Sequence, residues 1–151
     1  MMSLIQEILS ADNIVLDVEV ASKKRLLEEI AQLACQRCAL DKEEVFDCLF
    51  AREKLGSTGL GHGVAIPHGR LGGMVSETIA VFLRLKEPVD FDSPDDKPVQ
   101  LVFALLVPEN ATGKHLEVLS SLADIFSSKT AREGLLMASD KETVLNILTK
   151  Q

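Results

Sequence analysis

Residues 99–107 are almost wholly apolar, and this run limits the possible folds more than any other part of the sequence. It reads Val-Gln-Leu-Val-Phe-Ala-Leu-Leu-Val, far shorter than the ~20 apolar residues that a membrane-spanning helix needs. Such a run is typical of a β-strand that is covered on both faces. The rest of the chain must therefore supply helices to both sides of a sheet.

Amphipathic segments on either side of this strand can supply those helices. Apolar residues recur at helical spacing after Ser22. Asp41, followed by Glu44, resembles a capping box and starts a helix that we expect to end near Lys54. The other predicted elements are helices over Leu4–Leu9 (capped by Ser3), His115–Ser127, Ala131–Ala138 and Lys141–Leu148 (capped by Asp140), strands over Asn13–Val18, Val64–Ile66 and Glu77–Leu85, and loops over 89–98 and 108–113.

The alternation of short strands with helices predicts the fold class. We expect a single-domain α/β sandwich over residues 1–151, in which a small mixed β-sheet is flanked by helices on both faces. A chain of 151 residues buries roughly 70% of its unfolded surface, so it needs no disulfide or metal to fold. No internal repeat or linker interrupts it.

The charge balance narrows the class of partner. With 16 basic and 23 acidic residues the net charge is −7, which argues against binding to nucleic acid or to an anionic membrane. We see neither a bilayer-spanning run nor a signal peptide, and therefore expect a cytoplasmic protein without direct membrane insertion. Three cysteines, Cys35, Cys38 and Cys48, fit reduced thiols.

Residues 55–70, which we call the glycine-rich segment, are too rich in glycine to form a helix. His68 follows Pro67 and precedes Gly69 at the end of a strand-like run. We expect Gly69 to leave open space beside the imidazole, on a tip where an exposed histidine can react. An ordinary solvated loop histidine is an equally good interpretation.

Cationic residues nearby suggest what such a histidine could do. Arg52 precedes the segment, Arg70 ends it, and a guanidinium suits the oxygens of a phosphoryl group on an imidazole. His115, at the start of a helix, would be held neutral by the helix dipole and could donate a hydrogen bond. Alternatively, Arg52 simply complements a helix C-terminus and His115 is a surface residue.

Metal and nucleotide sites find less support. Cys35 and Cys38 form a CxxC pair without a second pair, so we expect them to pack in the core. His62 and His68 are six residues apart in a loop and, with His115, leave open a metal-dependent hydrolase. The sequence contains neither the phosphate-binding motif GxxxxGK[ST] nor a GxGxxG motif after a strand, so nucleotide binding has little support. We expect no metal and no cofactor; a ligand-sensing module without phosphoryl chemistry is a further alternative.

The glycine-rich segment, with Val-Ala-Ile-Pro-His-Gly at 64–69, resembles the active-site block of enzyme IIA of the bacterial sugar phosphotransferase system, mannitol/fructose class. Residues 21–28 and 103–108 resemble its nitrogen-regulatory branch, and the similarity covers roughly residues 3–149. The resemblance implies a compact α/β domain in which His68 accepts phosphate on Nε2 while its other ring nitrogen donates to a backbone carbonyl. It also implies that Arg52 stabilises the phosphoryl charge and that His115 donates a hydrogen bond.

The resemblance further implies the partners. Phosphate would come from a histidine phosphocarrier protein, and the phosphorylation state would control regulatory targets such as potassium-transport or sensor proteins. The alternative is a sugar-transport component that passes phosphate to a IIB domain. His62 stands where many relatives have Asn, and we expect a third imidazole near the site. Leu55, Leu60 and Val64 are candidates for an apolar docking rim or for the core.

Overall fold

A computed structural model describes residues 4–109 and 113–149 as one open mixed sheet of six strands with six helices. The strands are β1 (Ile14–Val18), β2 (Gly59–Gly61), β3 (Val64–Ala65), β4 (His68–Arg70), β5 (Ile79–Val89) and β6 (Val99–Val107). The helices are α1 (Leu4–Ile8), α2 (Lys23–Cys38), α3 (Lys42–Lys54), α4 (Gly113–Ser127), α5 (Lys129–Met137) and α6 (Lys141–Thr149). The predicted α/β architecture is confirmed.

The apolar strand β6 is the centre of the sheet, whose order is β1-β5-β6-β3-β2. It pairs antiparallel with β5 on one side. On its other side it pairs in parallel with β3 and then with β4, which therefore follow one another along the same edge. All but one residue of β6 are buried, as expected of a strand that both layers cover.

Each face of the sheet carries its own core. Alternate residues of β6 divide between the faces, and Ala104 and Leu106 pack with α2 and α3. Phe103 and Leu105 pack on the other face with α1, α4, α5 and α6. The alternation arises because successive side chains of a strand point to opposite faces. The helices α2 and α3 thus cover one face, and α1 and the C-terminal helices cover the other.

Most predicted boundaries agree with the structure. Ser22 caps α2 by accepting from the Arg25 N–H, and Asp41 caps α3 by accepting from Glu43 rather than from the expected Glu44 position. Asp140 accepts from Thr143 at the start of α6. The Ser3 cap and residues 110–112 of the predicted loop lie outside the described residues.

The predictions missed some extended structure and two helix starts, since α4 begins at Gly113, two residues before the predicted His115. Two short strands, Gly59–Gly61 and His68–Arg70, lie in the glycine-rich segment because β3 and β6 offer them backbone partners. β5 runs on to Val89 because Val89 pairs with Val99. α5 starts at Lys129 because Ser128 caps it. Within the described residues, no helix has the length and apolar character to cross a bilayer.

Candidate functional site

His68 is the first residue of β4 rather than part of a loop tip. It lies opposite Leu105 of β6, and the Leu105 N–H donates to the carbonyl of Pro67 at 2.9 Å. Because residues in register point to the same face, the imidazole lies on the α4 side of the sheet, as Leu105 does. Backbone pairing with β6 therefore fixes the position of this histidine.

Gly69 serves a different purpose from the predicted one. A Cβ at this position would lie 2.6 Å from Sγ of Cys48, so glycine allows α3 to pack closely against β4. The Cys48 thiol donates to the carbonyl of Arg70 at 2.8 Å, and burial raises its pKa. The expectation that Gly69 leaves open space beside the imidazole holds only in part, because Gly69 lines the same cleft as His68 but the room that its missing Cβ leaves is taken by Cys48 of α3.

The ring of His68 is half-buried, and its Nδ1 lies 2.8 Å from the carbonyl oxygen of Ile66. A carbonyl can only accept, so Nδ1 carries the proton of the neutral ring and Nε2 keeps a lone pair. Burial lowers the pKa of His68, and the positive charge of Arg52 lowers it further, against the opposing effects of the Ile66 carbonyl and Glu53. The ring is therefore neutral at pH 7.

His115 comes from the other side of the site, as the third residue of α4. Its side chain is buried, with 9% exposure, and its ring centroid lies 5.6 Å from that of His68 at an interplanar angle of 55°. Burial lowers the pKa of His115, as does the positive charge of a protonated His68 and that of Arg70. Its Nδ1 has no hydrogen-bond partner within the described chain. Both imidazoles of the site thus have lowered pKa values, which favour their neutral forms.

Arg52 reaches the site from the last turn of α3. Its Nη1 donates to the carbonyl of Gly56 at 2.9 Å, which holds the guanidinium near the turn that follows the helix. A cation at this end of α3 also complements the helix dipole, and this role does not conflict with the predicted role of Arg52 beside a phosphoryl group. What the sequence does not show is that Arg52 and His68 line the same cleft.

These side chains line one cleft of about 660 Å³. Arg52, His68, Arg70 and His115 supply its polar groups. Two leucines with unusual exposure flank them: Leu55 at 85% and Leu116 at 67%. Of the other candidates for an apolar rim, Leu60 is 43% exposed, whereas Val64 is fully buried and belongs to the core. An apolar rim around a cationic, imidazole-lined cleft suits a protein partner that carries a negative group.

His62 does not line this cleft, so the prediction of a third imidazole at the site is wrong. It is exposed in the turn between β2 and β3, where its φ is 56° and its backbone N–H donates to the carboxylate of Asp95. The described residues contain no group of three potential ligands placed to hold a metal. Of the CxxC pair, Cys38 packs against the core as expected, whereas Cys35 is exposed.

Three side chains of this region were not expected from the sequence: Cys48, Leu116 and Glu53. Glu53 is 8% exposed and continues the buried stripe of α3 after Val45 and Leu49. A carboxylate at that helical spacing is a signal that the sequence does contain, because apolar side chains normally occupy such positions. Leu116 carries no comparable signal, since a single leucine on a helix is ordinarily a core residue.

The fold and cleft together define an open mixed α/β domain with a neutral, half-buried histidine beside a fixed arginine. Comparison with known proteins agrees: the family described as "Phosphoenolpyruvate-dependent sugar phosphotransferase system, EIIA 2" matches residues 7–151. The chain is 45% identical to the nitrogen regulatory protein of Pseudomonas aeruginosa over 145 residues, which is 95% of this chain and 94% of that protein.

Solved structures give the same result. The nitrogen regulatory protein IIA-Ntr of Neisseria meningitidis is similar at 60% identity with a TM-score of 0.92, covering 97% of this chain and all (100%) of that one. Mannitol enzyme IIA of Escherichia coli, in its complex with phosphorylated enzyme IIB, is similar at 27% identity with a TM-score of 0.79, covering 93% of this chain and 96% of that one. The chain belongs to the EIIA 2 family of the phosphotransferase system.

Proposed function

We propose that this protein accepts a phosphoryl group on Nε2 of His68 from the phosphohistidine of a small histidine phosphocarrier protein. Nε2 attacks phosphorus as the bond to the donor imidazole breaks, and the donor ring recovers its electron pair. The contact between Nδ1 and the Ile66 carbonyl carries the proposal, because it leaves Nε2 as the nucleophile. The lowered pKa of His68 keeps that nitrogen unprotonated at neutral pH.

The neighbouring groups suit the charge that moves. Phosphoryl transfer depends on positioning and on stabilising the equatorial oxygens, and Arg52 offers a fixed guanidinium for them. The neutral ring of His115, 5.6 Å from His68 between centroids, is near enough to donate a hydrogen bond to a bound phosphoryl oxygen. The proposed reaction uses no metal and no cofactor, since cationic side chains take the part that a metal takes elsewhere.

We propose a regulatory role as the output. A phosphate adds about 1.5 to 2 negative charges at pH 7, here in a cleft between two exposed leucines, Leu55 and Leu116. That change is enough to repel one protein partner or to admit another. The nitrogen regulatory names of the similar proteins support this role. Potassium-transport and sensor proteins are the targets that we would test first, in the cytoplasm and with residues 1–151 acting as one domain.

A second candidate is a transport component that passes its phosphate to a IIB domain. The similarity to mannitol enzyme IIA in its complex with phosphorylated enzyme IIB favours it. Both candidates share the chemistry at His68 and differ only in where the phosphoryl group goes.

Labelling separates the possibilities. Incubation with phosphoenolpyruvate, enzyme I and the phosphocarrier protein should add one phosphate that is stable to alkali and lost in acid; without the phosphocarrier there should be none. The labelled protein is then mixed with IIB domains of the mannitol and fructose classes. Slow or no transfer supports regulation, whereas rapid transfer supports transport. Failure to take up any label contradicts the proposed chemistry.

A further inference from the structure

Glu53 is a buried carboxylate next to the site, and its oxygens have both an ion-pair partner and hydrogen-bond donors. Its side chain is 4% exposed and lies 2.9 Å from Nζ of Lys23, which comes from α2. The Thr58 N–H donates to both of its oxygens, at 3.2 and 3.3 Å, and the Thr58 hydroxyl donates to Oε2. Burying a carboxylate away from water is costly unless such partners are present, and the surrounding residues supply them here.

The hydrogen bonds continue from this carboxylate to the imidazole. Thr58 uses its N–H and hydroxyl on Glu53, and its carbonyl accepts from the Ile66 N–H at 3.0 Å. The carbonyl of Ile66 in turn accepts from Nδ1 of His68 at 2.8 Å. Only two residues, Thr58 and Ile66, therefore separate the buried carboxylate from the reactive ring.

We propose that Glu53 is a positioning residue for His68: through Thr58 and Ile66 it fixes the carbonyl that holds the proton on Nδ1 and leaves Nε2 free. Lys23 is the ion-pair partner of this carboxylate, so α2, α3 and the glycine-rich segment are joined at one point. This role rests on the proposed function, because it explains how the acceptor nitrogen is selected.

The charged groups around His68 predict in which direction its pKa changes when Glu53 is replaced. The groups that face His68 are Arg52 and Glu53 on α3, His115 on α4 and the carbonyl of Ile66; Arg70 and the Cys48 thiol also line the cleft. The Glu53 charge raises the pKa of His68, against the lowering by burial and by Arg52. Removing the carboxylate takes away this opposing charge, so the pKa of His68 should fall further.

The test compares Glu53→Gln with Asp92→Asn. Both substitutions remove one negative charge within 3.5 Å of Lys23, but only Glu53 contacts Thr58. Asp92 is exposed, with φ of 57°, a conformation that Asn adopts readily. The readouts are the ¹⁵N shifts of the His68 ring, which report tautomer and pKa, and the rate of phosphorylation per folded molecule.

Glu53→Gln should give a mixture of ring tautomers, a lower pKa for His68 and phosphorylation slowed by about 10-fold to 10²-fold. Asp92→Asn should match the unaltered protein. Thr58→Val, which keeps the N–H but loses the hydroxyl, should shift the tautomer in the same direction, and Thr58→Ser should restore it. These two variants decide the question if Glu53→Gln fails to fold.

A ring spectrum and rate unchanged in folded Glu53→Gln would overturn the proposal and leave Glu53 with a role in stability alone. Equal effects of Glu53→Gln and Asp92→Asn would also overturn it, since charge without contact would then suffice. If the unaltered protein takes up no phosphate, the proposed function fails, but the tautomer measurement still decides whether Glu53 positions His68.

Discussion

The glycine-rich segment places two histidines in opposite environments. In the middle of the segment, His62 is exposed in a turn with a left-handed backbone, and its N–H donates to Asp95. Near the C-terminal end, His68 lies in a strand paired with β6, between α3 and α4, and its Nδ1 donates to a carbonyl. The difference shows that neighbouring elements, rather than the residue type or the glycine content, determine the environment of an imidazole.

The largest effect expected is at the two histidines themselves. His68→Ala should abolish uptake of phosphate, because the nucleophile is gone, whereas His62→Asn should label normally, since Asn suits the left-handed backbone. Radiolabel per folded protein measures both. Circular dichroism spectra provide the control for folding. Label that survives in His68→Ala and disappears in His62→Asn would reverse the comparison.

Removing one cation near each of the two histidines should sharpen the contrast between them. Arg52→Gln takes the guanidinium from the cleft and should slow phosphorylation by about 10²–10³-fold. Lys97→Gln removes a cation beside Asp95, in the His62 region, and should change the rate little. Rapid-quench labelling measures both rates. If the two variants were equally slow, net charge of the protein, and not the cleft, would determine the rate.

Alanine substitutions at two glycines of the segment should each destabilise the fold, but for different reasons. Gly69→Ala places a methyl group against Cys48 and should cost ~1–3 kcal/mol by overpacking. Gly61→Ala, at φ of 90°, should cost ~1–2 kcal/mol through backbone strain. Urea denaturation measures both.

The discriminating variant is Cys48→Ala. In a double-mutant cycle it should relieve part of the cost of Gly69→Ala, by ~0.5–3 kcal/mol, and none of the cost of Gly61→Ala. Additive costs at Gly69 would mean that α3 does not press on β4 at this point.

The smallest effect expected is a shift in titration. The pKa of His68 should lie below its ordinary 6.5, and Arg52→Gln should raise it because a nearby positive charge is removed. ¹H–¹⁵N spectra of the ring across pH measure it. A pKa above 6.5 would contradict the burial of this ring.

The same pKa values bear on stability. His68 and His115 both have lower pKa values folded than unfolded, so the unfolded chain binds more protons below about 6.5. The two neutral rings therefore contribute to the free energy of unfolding above that pH. This contribution is lost as the pH falls through the pKa values of the folded protein.

The sequence predicts much of this fold because its signals are local. The apolar run of β6 and the caps Ser22 and Asp41 each specify an element without reference to the rest of the chain. The strand β4 is different, since three residues with a central glycine become a strand only when β6 is beside them. Spacing alone likewise could not show that His115 approaches His68 or that His62 lies apart.

The proposal that Nε2 is the acceptor depends on the contact between Nδ1 of His68 and the Ile66 carbonyl. The most direct measurement is ³¹P and ¹⁵N NMR of the phosphorylated, ¹⁵N-histidine-labelled protein. We predict a phosphorus–nitrogen coupling to Nε2 of His68 and to no other nitrogen. A phosphoryl group on Nδ1 of His68, or on the ring of His62 or His115, would contradict this assignment.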